Sequence, residues 1–297
     1  MIQEPAFKTP QKPEQPVISR VGVIGAGVMG SGVAQNLAQH GFQVVLIDHF
    51  EKALQGARQS MQQNLRFQKM MGKTGWETTL DWDLIRFSGQ LEDVQHCDFI
   101  IENVTENWEI KKPIFEKLGE ICPQHTIFAA NTSAISITRI ASVTGRADRV
   151  VGIHFMNPVP QKSMVELIRG YHTSQATLDT TADFLNRFGK KHVLVKDAPG
   201  FISNRVLMLT INEAIFLVHE GTSNPTDIDL VFKNCFGHSM GPLETADLIG
   251  LDTILHSLEV LLDAYQDPKF RPCPLLKQMV DAGLHGRKTG EGFFRHQ

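Results

Sequence analysis

Short runs of apolar, often β-branched residues alternate with amphipathic stretches through the first two thirds of the chain. Val21–Ile24, Gln43–Ile47, Asp98–Val104, Thr126–Thr132 and Val193–Lys196 are largely apolar runs of strand length, and Val21–Ile24 and Asp98–Val104 suit strands buried in a parallel sheet. Helical spacing marks the segment following Gly30 as far as Gln39, then Lys52–Arg66, Trp108–Ile121 and Ile135–Ser142. Strands alternating with helices predict an α/β fold with a doubly wound, mostly parallel sheet. Val150–Leu167 (VVGIHFMNPVPQKSMVEL) reads differently, as two short apolar strands around a polar loop stiffened by prolines. Past Asp197-Ala198-Pro199-Gly200-Phe201, a Pro-Gly break, only helical periods remain: Phe201–Glu220, Asn224–Asn234, Glu244–Ala264 and Leu275–Gly283. The predicted organisation is a sheet domain over residues 20–199 and an all-α domain over 200–297.

The first strand runs straight into Gly25-Ala26-Gly27-Val28-Met29-Gly30, and the second ends in Asp48. Gly25 permits a tight turn, Gly27 lets backbone approach a pyrophosphate, and Gly30 lets helix pack on strand. The helix start offers free N–H groups to the phosphates. An acid at Asp48 accepts bonds from both ribose hydroxyls and repels a 2′-phosphate, which favours NAD over NADP. Strand, glycines, helix, strand and acid in this order make a specific nucleotide signature of Rossmann type. The glycine motif alone also admits a flavin.

His154 and Glu166 lie in the two strands of Val150–Leu167. An ionisable pair there is costly unless the two groups serve each other, either as a core ion pair or as a base and its orienting acid. Glu106 and Ser133 follow strands at the carboxyl edge of the sheet, where such folds bind ligands; Ser133 equally suits a helix N-cap. Asn204, near the start of the first helix after the break, could aim its amide at a ligand or make an ordinary capping or interdomain bond. Arg66, Lys69 and Lys73 share one helix face, which is either a solvated surface or a phosphate contact.

Composition narrows the field. A net charge of −3 supplies no global basic field for nucleic acid or membrane surfaces. Cys97, Cys122, Cys235 and Cys273 show no paired or ligand-like spacing, so neither a metal site nor a disulfide framework is expected, and a reducing, cytoplasmic setting is. Residues 1–19, with Pro5, Pro10, Pro13 and Pro16, read as a disordered leader without a secretory core. Apolar residues in the second domain (Leu230, Val231, Phe232, Leu248, Ile249, Leu251, Ile254, Leu255) exceed the needs of small helices and predict a homodimer interface.

From Arg20 to Phe294 the chain resembles the short-chain 3-hydroxyacyl-CoA dehydrogenases, including the 3-hydroxybutyryl-CoA dehydrogenases. The resemblance is carried by GVIGAGVMGSGVA, LIDHF, TEN, ANTSAISIT, GIHFMNPVP, KDAPGFISNR, GPLETADLIGLDT and GRKTGEGFF. It implies NAD-dependent oxidation of a (3S)-hydroxyacyl thioester, or the reverse, with His154 as base, Glu166 as its partner, and Ser133 and Asn204 bonded to the substrate's 3-oxygen. It implies a cofactor set of Gly25, Gly27, Val28, Met29, Gly30, Asp48, Glu106, Lys111, Ser133 and Asn157. The loop Gln161–Met164 and the region Phe67–Trp82 depart from the usual family pattern, which leaves two carriers open, coenzyme A or an acyl carrier protein bearing a short hydroxyacyl group. A non-catalytic NAD-binding or structural relative is the third reading.

Overall fold

The computed structural model describes residues 18–72 and 78–296; Lys73 and most of the expected leader lie outside them. An eight-stranded sheet organises the first domain: β1 (Arg20–Ile24), β2 (Gln43–Ile47), β3 (Ile85–Ser88), β4 (Phe99–Glu102), β5 (Ile127–Ala130), β6 (Val150–His154), β7 (Met164–Arg169) and β8 (Lys191–Lys196). Their order is β3-β2-β1-β4-β5-β6-β7-β8. The chain works outward from β1 through β2 to β3, then returns to build from β4 on the other side. That reversal opens a crevice beyond the carboxyl ends of β1 and β4. All neighbours are parallel except β6 and β7, which pair antiparallel with His154 directly opposite Glu166.

Helices cover both faces. α1 (Val28–Gln39), α2 (Glu51–Met70) and α5 (Gln175–Arg187) bury Val33, Leu37, Met61, Leu178 and Phe184 against one face. α3 (Trp108–Ile121) and α4 (Ile137–Ala141) bury Phe115, Leu118, Ile137 and Ile140 against the other. Neither β3 nor α5 is among the elements anticipated from the residue pattern. The expected leader also ends earlier than residue 19. Ile18 is buried in the core, its carbonyl accepts from Arg187, and Ser19 donates to Asp98, so these two residues belong to the sheet domain.

The second domain comprises α6 (Ser203–His219), α7 (Pro225–Phe236), α8 (Pro242–Ile249), α9 (Leu251–Tyr265) and α10 (Pro274–Asp281). The single helix expected over Glu244–Ala264 is two, because Gly250 at φ 105° takes a backbone conformation that turns the chain between α8 and α9. Leu251 and Ile254, expected at an interface, are fully buried in this domain's own core; Leu230, Val231 and Leu248 remain exposed. The carboxylate of Asp247, fully buried on α8, accepts the N–H groups of Phe293 and Phe294 at 2.9 Å and lies 2.8 Å from His296 Nε2, folding the glycine-rich tail back onto the helix. Among the described residues no helix is long and apolar enough to cross a membrane.

Candidate active site

The crevice at the strand ends holds the first half of the site. A cavity of about 730 Å³ is lined by Gly25, Gly27, Asp48, Phe50, Val104, Ile110 and neighbouring residues. Gly25 has φ 93°, and a side chain there would run into the backbone of Asn103. A Cβ on Gly30 would collide with the Gly25 carbonyl, so α1 can approach the turn this closely only with glycine. A Cβ on Gly27 would meet nothing within 4 Å: this glycine faces open space at the mouth of the cavity. α1 has no side-chain cap, which leaves the N–H groups of its first turn, around the exposed Val28 and half-buried Met29, available to an anion. Asp48 Oδ2 accepts from Ala26 N at 2.9 Å and Oδ1 from Phe50 N at 3.0 Å, so its carboxylate is held at the rim of the same cavity. Turn, uncapped helix and fixed acid fit a dinucleotide.

The second half is a buried relay at the far strands. His154 ends β6 and is 7% exposed; Glu166 on β7 is 4% exposed. Antiparallel pairing makes them cross-strand neighbours. His154 Nδ1 lies 2.7 Å from Glu166 Oε2, and Nε2 lies 3.1 Å from Ser133 Oγ. Burial opposes ionisation of Glu166. The His154 ring, the Ser203 hydroxyl, and the N–H groups of Ser203 and Ile202 outweigh it and bring the carboxyl down to about 2. A carboxylate on Nδ1 favours the tautomer that carries its proton there, leaving a lone pair on Nε2.

Ser133 is not an N-cap. Ser136 caps α4 instead, accepting from Arg139 N, and Asp197 at the end of β8 accepts the N–H groups of Ile137 and Thr138. The loop bearing Ser133 is shaped by Glu106: Oε1 accepts from Thr132 Oγ1 and from the N–H groups of Ser133 and Ala134 at 2.9 Å each. Lys111, expected in the cofactor set, is fully buried. Its ammonium sits 2.8 and 2.9 Å from the Glu102 oxygens and 3.8 Å from Glu106, so it supports the strand ends from below without reaching the cavity. Burial pushes Glu102 up to about 7 in spite of that ammonium.

Asn204 stands in the first turn of α6, one residue past Ser203, and its side chain has no hydrogen-bond partner among the described residues. Asn157 is exposed on the loop between β6 and β7. That loop is pinned from beneath by the buried ammonium of Lys190, which donates to the carbonyls of Val159 (2.6 Å) and Lys162 (2.8 Å), and burial brings Lys190 down to about 8. Arg66 and Lys69 are exposed near the end of α2. Sequence reasoning missed Glu102, Ser203, Asp197 and Lys190. Glu102 closes an apolar run and Lys190 precedes one, which were the available signals; for Ser203 there was none beyond its place beside Asn204.

Residues 20–198 match the family model for the 3-hydroxyacyl-CoA dehydrogenase NAD binding domain, and residues 200–296 that for the C-terminal domain. The chain belongs to the 3-hydroxyacyl-CoA dehydrogenase family. It is 46% identical over 281 residues to a probable 3-hydroxybutyryl-CoA dehydrogenase of Bacillus subtilis, covering 94% of this chain and 98% of that one. It is 39% identical to the human mitochondrial hydroxyacyl-coenzyme A dehydrogenase, over 95% of this chain and 92% of that one. The crystal structure of (S)-3-hydroxybutyryl-CoA dehydrogenase from Ralstonia eutropha superimposes with a TM-score of 0.89 at 41% identity, covering 95% of this chain and all of that one.

Proposed function

We propose that this dehydrogenase oxidises the 3-hydroxyl of a (3S)-hydroxyacyl-CoA to the 3-oxo thioester, and catalyses the reverse reduction, with His154 as the acid–base group. The observation that carries this reading is the His154 ring held between Glu166 on Nδ1 and Ser133 on Nε2. In oxidation Nε2 takes the hydroxyl proton while Glu166 stays ionised and stabilises the imidazolium. In reduction the imidazolium returns that proton to the 3-oxygen. Ser133 Oγ and the Asn204 amide position this oxygen; one such donor aimed at a developing oxyanion is worth about 3 kcal/mol. NAD, when bound, supplies the hydride acceptor. The uncapped start of α1, with Gly27, Val28 and Met29, holds its pyrophosphate, and Asp48 binds the ribose and repels a 2′-phosphate. Glu106 acts through the Ser133 loop, and Lys111 through Glu102 and Glu106.

The carrier is coenzyme A, the thioester named in the relatives, with Arg66 and Lys69, and Lys73 outside the described residues, offered to its phosphates. Exposed Ile202, Val206, Leu230, Val231 and Phe236 on the second domain suit a homodimer interface, which sedimentation tests directly. All four cysteines are unpaired, which suits a reducing compartment such as the cytoplasm. The deciding experiment is His154→Gln assayed with acetoacetyl-CoA and NADH. Turnover falls by at least a hundredfold while NADH binding persists; unchanged turnover refutes the assignment. Better turnover of a carrier-protein thioester than of the CoA thioester moves the substrate to the other carrier.

A further inference from the structure

Glu166 belongs to the sheet domain, yet three of the four hydrogen bonds to its carboxylate come from the start of the helical domain. The N–H groups of Ile202 and Ser203 donate to Oε1 at 2.9 and 3.0 Å. Ser203 Oγ donates to Oε2 at 2.7 Å, the oxygen that also faces His154 Nδ1 at 2.7 Å, and the hydroxyl lies 3.4 Å from that ring nitrogen. The chain reaches this arrangement through two consecutive left-handed residues, Gly200 at φ 74° and Phe201 at φ 49°. A non-glycine residue in that region is strained and persists only where the surroundings hold it. Phe201 is buried, with its ring 5.7 Å from the imidazole.

We propose that Ser203 is a positioning residue for the reaction, its hydroxyl sharing Glu166 Oε2 with the imidazole and holding the carboxylate against His154. The inference rests on reading His154 and Glu166 as the acid–base pair. A hydroxyl donating to Oε2 draws charge from the oxygen that stabilises the imidazolium. Removing it leaves more negative charge facing Nδ1–H and strengthens the hold of His154 on its second proton. The groups facing the pair are Ser133 Oγ from the loop after β5, Ser203 Oγ from α6 and the Phe201 ring. Among the described residues, no third charged side chain lies within ion-pair distance of either member. Because α6 belongs to the second domain, the base is complete only with the two domains in contact.

The test is the pH profile of kcat/KM for oxidation of 3-hydroxybutyryl-CoA by Ser203→Ala and Ser203→Thr. In Ser203→Ala the acid limb moves up by about half a pH unit, kcat falls severalfold, and the KM for NAD stays at the wild-type value. Ser203→Thr, which keeps the hydroxyl, returns the limb to its original place. A Ser203→Ala limb superimposed on wild type overturns the proposal, as does a threonine variant that stays shifted with the alanine one. Glu166→Gln, run alongside, separates the two levels. If it keeps wild-type turnover, the pair itself is misread; if it loses turnover while Ser203→Ala leaves the limb in place, only the role of Ser203 falls.

Discussion

Replacing Glu166 with glutamine preserves the volume of the side chain and removes its charge. The amide oxygen can still accept from Ile202 and Ser203 N–H, which leaves the NH₂ group facing His154 Nδ1 and Ser203 Oγ, both 2.7 Å from the wild-type oxygen. Two donors then oppose each other unless the imidazole moves its proton to Nε2, and that tautomer has no lone pair for the substrate's proton. The variant also loses the attraction between carboxylate and imidazolium, about 4 kcal/mol for unit charges 4 Å apart at an effective dielectric of 20. At about 1.4 kcal/mol per tenfold, kcat should fall roughly a thousandfold, within the range of about 10²–10⁴ for losing a general base. Reduction of acetoacetyl-CoA, followed by NADH absorbance, measures it, and NADH fluorescence titration should show cofactor affinity unchanged within about twofold. A variant with kcat within tenfold of wild type would refute the reasoning. So would a double variant with His154→Gln much slower than His154→Gln alone, since groups acting as one unit are not additive.

The acidity of Glu166 has a stability consequence. Its folded value of about 2 lies below the ordinary 4.5, so its contribution is fully present above 4.5 and is lost as pH falls toward 2. The loss amounts to on the order of 3 kcal/mol, and urea midpoints of wild type and Glu166→Gln should converge across that window. Lys111→Met leaves the fully buried Glu102 without its cation and should cost about 3–5 kcal/mol in chemical unfolding, with Glu102→Leu added to it recovering part of the loss. Asp48→Ala should raise the KM for NADH by about tenfold and narrow the discrimination against NADPH, read from paired kcat/KM values; undiminished preference for NADH would place the discrimination elsewhere.

The residue pattern located most of the sheet because β1, β2, β4 and β5 are short, apolar and closed by glycine, asparagine or acid. It did not reveal β3, whose one buried residue is Ile85, nor α5, where threonines at Thr177, Thr180 and Thr181 dilute the helical signal although Ser174 caps it. His154 and Glu166 were legible as a pair because charge in an apolar strand demands a partner, and the antiparallel register then sets them face to face. Lys111 shows the limit of such reading: a lysine in the first turn of α3 faces a ligand or the sheet edge according to the rotation of the helix, which only the packing of Phe115 and Leu118 decides. Ser203 was hidden for a related reason, since its partner lies in the other domain.

Among the described residues, the sheet ends at both rims, β3 and β8, in strands without a further neighbour. β8 carries Val193 and Leu194 at 40% and 54% exposure, framed by Lys191 and Lys196 at its two ends, and Arg86 stands exposed on β3. Cations on open rims keep unpaired strand edges from zipping onto those of other molecules. The lysines of β8 are thus expected to act on colloidal behaviour rather than on chemistry. Exchanging both for threonine or valine would leave an uninterrupted sticky ribbon, and the enzyme would be expected to precipitate on concentration while each dissolved molecule still turned over normally.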